Sequence, residues 1–254
     1  MGKVYLVGAG PGAADLITLR GARLLAQADV VLVEALVTEE LLPPAPQARN
    51  IPVGKRCGRA STAQPFINRS LINAARASDV VVRLKCGDPM LFGRAQEEID
   101  ALRAHGIDFE VVPGVTAATA ASADLKVPLT MRGVSRSVAF VTPRVGADES
   151  ESDWAAAALG ADTAVLYMAA GQAGRLAATL IAGGRAAATP VVIVENASLP
   201  ERRNWAMTLA ELPGFAAAQL SGPAVILLGE PFRELCAHAP LEAAAFAEAI
   251  ALPA

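Results

Sequence analysis

The chain has 254 residues, of which 53% are apolar, and a formal net charge of −3 at pH 7. At roughly 150 residues per domain, this length suits one large or two medium domains. Its apolar runs are shorter than the ~20 residues that a membrane-spanning helix needs, and its mildly acidic balance argues against a general nucleic-acid surface, which requires a basic face. We therefore expect a soluble, cytoplasmic protein that binds neither membranes nor nucleic acids.

Apolar residues 3–7 predict a first strand, and the glycine-dense stretch 8–12 predicts a loop that permits close backbone approach. A helix follows, with Asp15 expected as its cap, and residues 29–33 predict a second strand that ends in Glu34. This layout is shared by dinucleotide-binding folds. A proline inside the loop removes one backbone N–H that would face a pyrophosphate, but the dinucleotide alternative stays open at this point.

A strand near residues 51–53 leads into a loop with three cations, Lys55, Arg56 and Arg59. Such a run is most often a solvated surface. Because it follows a strand, as the glycine loop does, it also suits the edge of a binding crevice for a substrate rich in carboxylates. A helix is predicted over residues 64–77.

The stretch KCGDPMLFGR, residues 85–94, lies between a β-branched strand and a helix that begins near Ala95. It therefore stands at the carboxyl end of a strand, where open α/β sheets bind their ligands. Cys86 is expected to fill a small buried space, as free cysteines often do, and not to act as a nucleophile. The other cysteines and the two histidines show no metal-ligand spacing, so no metal site is predicted.

A strand over residues 109–112 ends in Pro113-Gly114, after which the composition turns to small residues. We place a domain boundary there. The predicted domains are residues 1–114 and 115–232, followed by a tail over 233–254.

The second half predicts several short strands, some only a turn apart, which favours a mixed sheet. These strands are predicted over residues 137–142, 163–167, 191–194, 205–208 and 224–228, with helices over 153–159, 171–182 and 209–219. The predicted fold class is thus α/β, with two domains that each hold a mostly parallel or mixed sheet flanked by helices.

Several motifs in consistent order over residues 3–230 resemble those of the tetrapyrrole methylases. They are VYLVGAGPG at 4–12, GKR at 54–56, RLKCGDP at 83–89, FGR at 92–94, PGVTA at 113–117, PLT at 128–130, YM at 167–168 and VEN at 194–196. The resemblance implies two α/β domains with S-adenosylmethionine held in the cleft between them, in a homodimer.

The resemblance also implies roles for individual positions. Those that correspond to cofactor contacts are Pro11, Cys86, Gly87, Asp88, Leu91, Thr116, Ala117, Met168 and Ala197. Glu34 and Lys55 correspond to the proposed proton acceptor and proton donor. Three positions depart from the family pattern: Glu34 stands where the family has aspartate, and Cys86 and Ala197 stand where it has glycine.

The implied reaction is the transfer of two methyl groups to carbons C2 and C7 of uroporphyrinogen III, which gives precorrin-2 and S-adenosylhomocysteine and leads toward sirohaem, cobalamin or haem d1. The substrate carries eight carboxylates. The candidate cations for them are Lys55, Arg56, Arg59, Arg94, Arg132 and Arg136. The alternatives are a methylase of a later corrinoid precursor, a nicotinamide-linked oxidoreductase, and a ligand sensor that has kept the fold without the chemistry.

Overall fold

The computed structural model describes residues 1–37, 48–54, 64–146 and 152–238. Lys55, Arg56, Arg59 and Cys57 lie outside these ranges. The chain forms two compact units, Met1–Ala117 and Ala118–Ala254. The predicted domain limits after residues 114 and 232 stay predictions.

The first unit is built on a parallel sheet of five strands in the order β3-β2-β4-β1-β5. The strands are β1 (Lys3–Gly8), β2 (Val30–Val33), β3 (Arg49–Pro52), β4 (Val80–Lys85) and β5 (Phe109–Val112), and the helices are α1 (Leu19–Ala26), α2 (Gln64–Ala77) and α3 (Ala95–Ala104). Because these neighbouring strands are parallel, the loops that follow β1, β4 and β5 all lie at the carboxyl end of the sheet.

The strands β2 and β4 are buried along nearly their whole length, which explains why both consist mainly of valine and leucine, whereas the edge strand β3 is largely exposed. Successive residues of β1 point to opposite faces. Val4 and Leu6 pack in one core with Leu71 of α2, and Val7 packs in another with Leu25 of α1. Helices α1 and α2 therefore pack on opposite faces of the sheet that carries these loops.

The predicted cap of the first helix is wrong. Thr18 caps α1, because its hydroxyl accepts a hydrogen bond from the Gly21 N–H at 3.1 Å, and Asp15 lies one turn earlier in a short 3-10 turn, Ala14–Leu16. The loop after β1 thus contains an extra turn before the helix begins.

The second unit is built on a mixed sheet in the order β6-β7-β10-β8-β9, in which β6 and β7 are parallel and the other neighbours are antiparallel. Its strands are β6 (Val138–Val141), β7 (Thr163–Tyr167), β8 (Pro190–Glu195), β9 (Arg203–Thr208) and β10 (Ala224–Leu228). The helices are α4 (Ala117–Leu125), which begins at the last residue of the first unit, α5 (Trp154–Gly160), α6 (Ala173–Ala182) and α7 (Arg233–His238). The predicted α/β class is confirmed in both units.

The helix predicted over residues 209–219 is wrong. Two separate 3-10 turns, Leu212–Gly214 and Ala217–Gln219, occupy this stretch. Pro213 has no backbone N–H to donate and Gly214 disfavours a helix interior, so the apolar spacing does not continue as an α-helix.

None of the helices in the described ranges is long and apolar enough to cross a membrane.

Candidate active site

Two glycine loops meet at the carboxyl edge of the first sheet. The Gly87 N–H donates to the Gly10 carbonyl at 2.7 Å, and the Gly10 N–H donates to the Gly87 carbonyl at 3.3 Å. Both residues have left-handed backbones, with φ of 83° at Gly10 and 65° at Gly87, a region that glycine enters without steric cost. The loops after β1 and β4 are therefore joined to each other directly through their backbones.

Asp88 joins a third strand end to this crossing. One of its carboxylate oxygens accepts from the Gly114 N–H at 2.9 Å and the other accepts from the Met90 N–H at 2.8 Å. The backbones are so close that a Cβ at Gly8 would lie 2.6 Å from the Cα of Gly114 and 2.7 Å from the Gly87 carbonyl oxygen. The ends of β1, β4 and β5 thus form one tightly packed backbone cluster, which we call the glycine crossing (Gly8, Gly10, Gly87 and Gly114).

The cofactor positions implied for the first unit surround the glycine crossing. Pro11 is buried directly after Gly10, Leu91 lies in the loop that follows Asp88, and the Cα of Thr116 would lie 3.9 Å from a Cβ at Gly87. Ala117 is the first residue of α4. The structure therefore gathers these residues at the carboxyl end of the first sheet.

The two remaining positions that the resemblance implies for the cofactor lie in the second unit, in turns at strand ends whose backbones have positive φ. Met168 directly follows β7 with φ of 55° and is 44% exposed, and the buried Ala197 lies between Asn196 and Ser198, with φ of 52° and 71°. Non-glycine residues with positive φ are uncommon and need support from their surroundings. The Ser198 N–H supplies part of it by donating to the Asp124 carboxylate at 2.7 Å.

Glu195, which precedes that turn, is a fully buried carboxylate that the sequence did not single out as a site residue. It accepts from Arg203 Nε at 2.7 Å, from the Gly222 N–H at 2.7 Å and from the Ser221 N–H at 2.5 Å. Burial alone would raise the pKa of Glu195, but these donors outweigh burial and hold the pKa below its ordinary value. Glu195 thus fastens the loop before β10 to the end of β8.

Glu34 lies at the end of β2 with its side chain 31% exposed. One carboxylate oxygen accepts from Arg83 Nη2 at 3.3 Å, and the other accepts from the Cys86 backbone N–H at 2.8 Å. Each oxygen retains a further lone pair, so the carboxylate remains able to receive a proton.

Arg83 also connects Glu34 to a cluster of buried charges that was not predicted from the sequence. Glu98 of α3 accepts from Arg83 Nε at 2.9 Å and from Lys85 Nζ at 3.1 Å, and Gln64 also reaches it at 3.4 Å. Burial, and next the neighbouring guanidinium, lower the pKa of Lys85. The available signal was two cations in a strand whose remaining residues are all apolar.

The Cys86 thiol is half-buried, with Sγ 3.9 Å from the Gly10 carbonyl oxygen. Burial, and next the charge of Glu34, raise the pKa of Cys86 to about 12. The thiol is therefore neutral near pH 7, which supports the predicted packing role because the thiolate is the nucleophilic form.

Cys86→Ala should leave turnover within a few-fold of wild type, whereas Cys86→Leu should raise the KM for S-adenosylmethionine, the cofactor that the resemblance implies. The larger side chain crowds the backbone crossing beside it, and overpacking a tight site costs ~1–3 kcal/mol. Steady-state kinetics of the two variants check this, with Cys236→Ala as the control because Cys236 packs in the second unit against the Met207 carbonyl. Loss of methyl transfer in Cys86→Ala would show that the thiol itself takes part in the chemistry.

The candidate substrate cations are distributed over both units. Arg94 has φ of 53° and forms a two-point ion pair with Glu97, at 2.7 and 2.9 Å. Arg132 and Arg136 are exposed in the second unit, the first inside the tight turn closed by Met131 and Ser135. Lys55, Arg56 and Arg59 fall outside the described residues. Within the described ranges, His, Cys, Asp and Glu side chains form no group that could hold a metal ion.

Residues 3–213 match the sequence profile of a family described as Tetrapyrrole (Corrin/Porphyrin) Methylases. A protein of Pseudomonas aeruginosa named uroporphyrinogen-III C-methyltransferase is 45% identical over 92% of this chain and 96% of its own length. A siroheme synthase of Chromobacterium violaceum is also 45% identical, over 90% of this chain, but the match spans only 49% of that longer protein.

Among solved structures, a uroporphyrin-III C-methyl transferase from Thermus thermophilus complexed with S-adenosyl homocysteine superimposes with a TM-score of 0.80. It is 40% identical, and the match covers 92% of this chain and all of that one. The likeness thus extends over both units and not only over the motifs.

Proposed function

Because the chain belongs to the tetrapyrrole (corrin/porphyrin) methylases, we propose that it methylates uroporphyrinogen III at C2 and C7, with S-adenosylmethionine as the methyl donor and S-adenosylhomocysteine as its product. The observation that carries this proposal is the 45% identity to a relative named uroporphyrinogen-III C-methyltransferase over 96% of that relative's length. The solved neighbour that holds S-adenosyl homocysteine supports the same cofactor.

The chemistry of this reaction suits the described residues. The sulfonium methyl group is already activated, so the protein chiefly aligns an electron-rich ring carbon with it and excludes water. No nucleophilic side chain is needed, and the neutral Cys86 thiol agrees with that. The new carbon–carbon bond forms as the carbon–sulfur bond breaks, and the electron pair of that bond stays on sulfur.

Methylation leaves a positive charge on the ring, which is relieved by loss of a proton. Glu34 is the proposed proton acceptor, because a half-buried carboxylate at the sheet edge is oriented there and keeps free lone pairs. Lys55, which corresponds to the family's proposed proton donor, is the proposed donor of a proton to the substrate. The cofactor contacts are proposed at Pro11, Cys86, Gly87, Asp88, Leu91, Thr116, Ala117, Met168 and Ala197.

The substrate's eight carboxylates are proposed to pair with Arg56, Arg59, Arg94, Arg132 and Arg136. Arginine suits this task because its planar fork matches a carboxylate at two points. The homodimer that the resemblance implies and the cytoplasmic location that the composition favours belong to the same proposal, as does the absence of membrane and nucleic-acid partners.

Incubation of the protein with uroporphyrinogen III and S-adenosylmethionine, followed by mass spectrometry, tests this function. We expect a product that carries two added methyl groups, together with heat from S-adenosylhomocysteine but none from NAD or NADP in calorimetric titration. Methylation of a later corrinoid precursor alone would favour the first alternative. S-adenosylhomocysteine binding without turnover of either substrate would indicate a sensor, and heat from NAD alone would indicate an oxidoreductase.

A further inference from the structure

Four charged side chains of the first unit form a connected series from its interior to its edge. Lys85 pairs with Glu98, Glu98 pairs with Arg83, and Arg83 pairs with Glu34, at 3.1, 2.9 and 3.3 Å. Lys85 and Arg83 are each 1% exposed and Glu98 is fully buried. Glu34, the partly exposed member, ends the series beside the loop that follows β4.

Charge balance explains why the series extends to Glu34. Buried charges are tolerated when they are paired and hydrogen-bonded. Glu98 alone would face two cations, and Glu34 adds the second carboxylate that pairs with Arg83. The guanidinium is itself fixed, since Arg83 Nε donates to Glu98 and Nη1 donates to the Leu84 carbonyl at 3.2 Å. It therefore presents Nη2 to Glu34 from a rigid base.

The other oxygen of Glu34 holds the first backbone amide after β4. The Cys86 N–H donates to it at 2.8 Å, and the next residue, Gly87, forms the bridge to Gly10. Glu34 thus contacts the 86–94 loop at the point where that loop leaves the sheet. An aspartate here would withdraw the carboxylate by about 1.5 Å, one carbon–carbon bond, and would not reach both donors from the same backbone position.

We propose that Glu34 is a positioning residue for the cofactor: Arg83 and Glu98 orient its carboxylate, and the carboxylate fixes the Cys86 amide and with it the course of the 86–94 loop. This inference rests on the proposed function, which places the cofactor against that loop. It adds to the proton-acceptor role, and the two roles are separable because ligand binding requires no proton transfer.

Titration of ligand-free protein with S-adenosylhomocysteine tests the proposal in the Glu34→Ala variant. We expect Kd to rise about tenfold or more, because the Cys86 amide and Arg83 both lose a charged acceptor. Hydrogen exchange of the peptide that contains Cys86 should be faster in ligand-free Glu34→Ala than in ligand-free wild type. Glu34→Asp should fall between the two proteins in both measurements.

The matched control is Asp29→Ala, at the opposite end of the same strand. Asp29 accepts from the backbone N–H groups of Asp79 and Val80 at 3.0 and 2.8 Å, so its loss releases two β4 amides far from the loop. We expect that variant to bind S-adenosylhomocysteine as wild type does. An unchanged Kd in Glu34→Ala would overturn the proposal, whatever the exchange shows, and so would an equal rise in Asp29→Ala. If wild type itself does not bind S-adenosylhomocysteine, the proposed function is overturned. The positioning inference is then tested by hydrogen exchange alone, and an unchanged exchange rate of the Cys86 peptide in Glu34→Ala would count against it.

Discussion

Gly114→Ala is expected to weaken the binding of S-adenosylhomocysteine strongly. The added Cβ would overlap the Gly87 carbonyl oxygen and would lie 2.8 Å from the Cα of Gly8 and 3.0 Å from its carbonyl carbon. These neighbours are backbone atoms of β1 and of the 86–94 loop, so they cannot give way by changing a rotamer. We expect a loss of about 3 kcal/mol in the free energy of unfolding, the upper end of ordinary overpacking, and a Kd raised at least ~100-fold, measured by thermal unfolding and titration calorimetry.

Gly160→Ala is the matched control for this substitution. Gly160 is the last residue of α5, and nothing lies within 4 Å of a Cβ there. Alanine is also the better helix former by up to ~1 kcal/mol, so this variant should be as stable as wild type or slightly more so and should bind normally. Wild-type affinity in Gly114→Ala would show that the three strand ends are free to separate without harm to the cofactor site.

The sequence predicts the strands of the first unit well, because a parallel sheet buried on both faces demands continuous β-branched runs. The strands β4 (Val80–Lys85) and β2 (Val30–Val33) are of this kind, and both are predicted within a residue or two. The loops that follow β1, β4 and β5 carry glycines, so the location of the candidate site along the chain is also predictable.

The convergence of the glycine loops is not predictable from local pattern. It requires β1 to lie between β4 and β5, an order that depends on contacts between residues far apart in the chain. Only then do Gly8, Gly87 and Gly114 become neighbours and Asp88 find the Gly114 amide. The partner of Arg83 is unpredictable for the same reason. Glu98 lies on the following helix, α3, and pairs with Arg83 only because of the way the chain folds.

Short-range chemistry misleads where two signals compete. Asp15 is a good cap by residue type, but the turn in which it lies ends before the helix, and Thr18 takes that role. Residues 209–219 have helical apolar spacing, but the proline in their midst divides them into two tight turns. At Asp15 the position of the helix start decides which residue caps it, and at residues 209–219 the proline decides where the helical spacing stops.

Glu34→Gln should lower kcat about 100-fold or more at saturating S-adenosylmethionine, because an amide cannot receive the proton that the methylated ring releases and positioned general bases are worth at least that factor. Saturation with the cofactor separates this effect from any loss of cofactor affinity. Glu34→Asp retains a carboxylate, so we expect its kcat to stay within about tenfold of wild type even though its shorter reach weakens cofactor binding.

The control for the amide substitution is Glu110→Gln, which makes the same chemical change on β5, at a partly exposed side chain that pairs with Lys3 and Arg20. Its kcat should equal that of wild type, since surface ion pairs contribute little. Rates for the first and second methylation should be measured separately by mass spectrometry, because a base needed for both positions slows both. A Glu34→Gln variant with normal rates for each would remove Glu34 from proton transfer and leave its contact with the Cys86 amide as its remaining role.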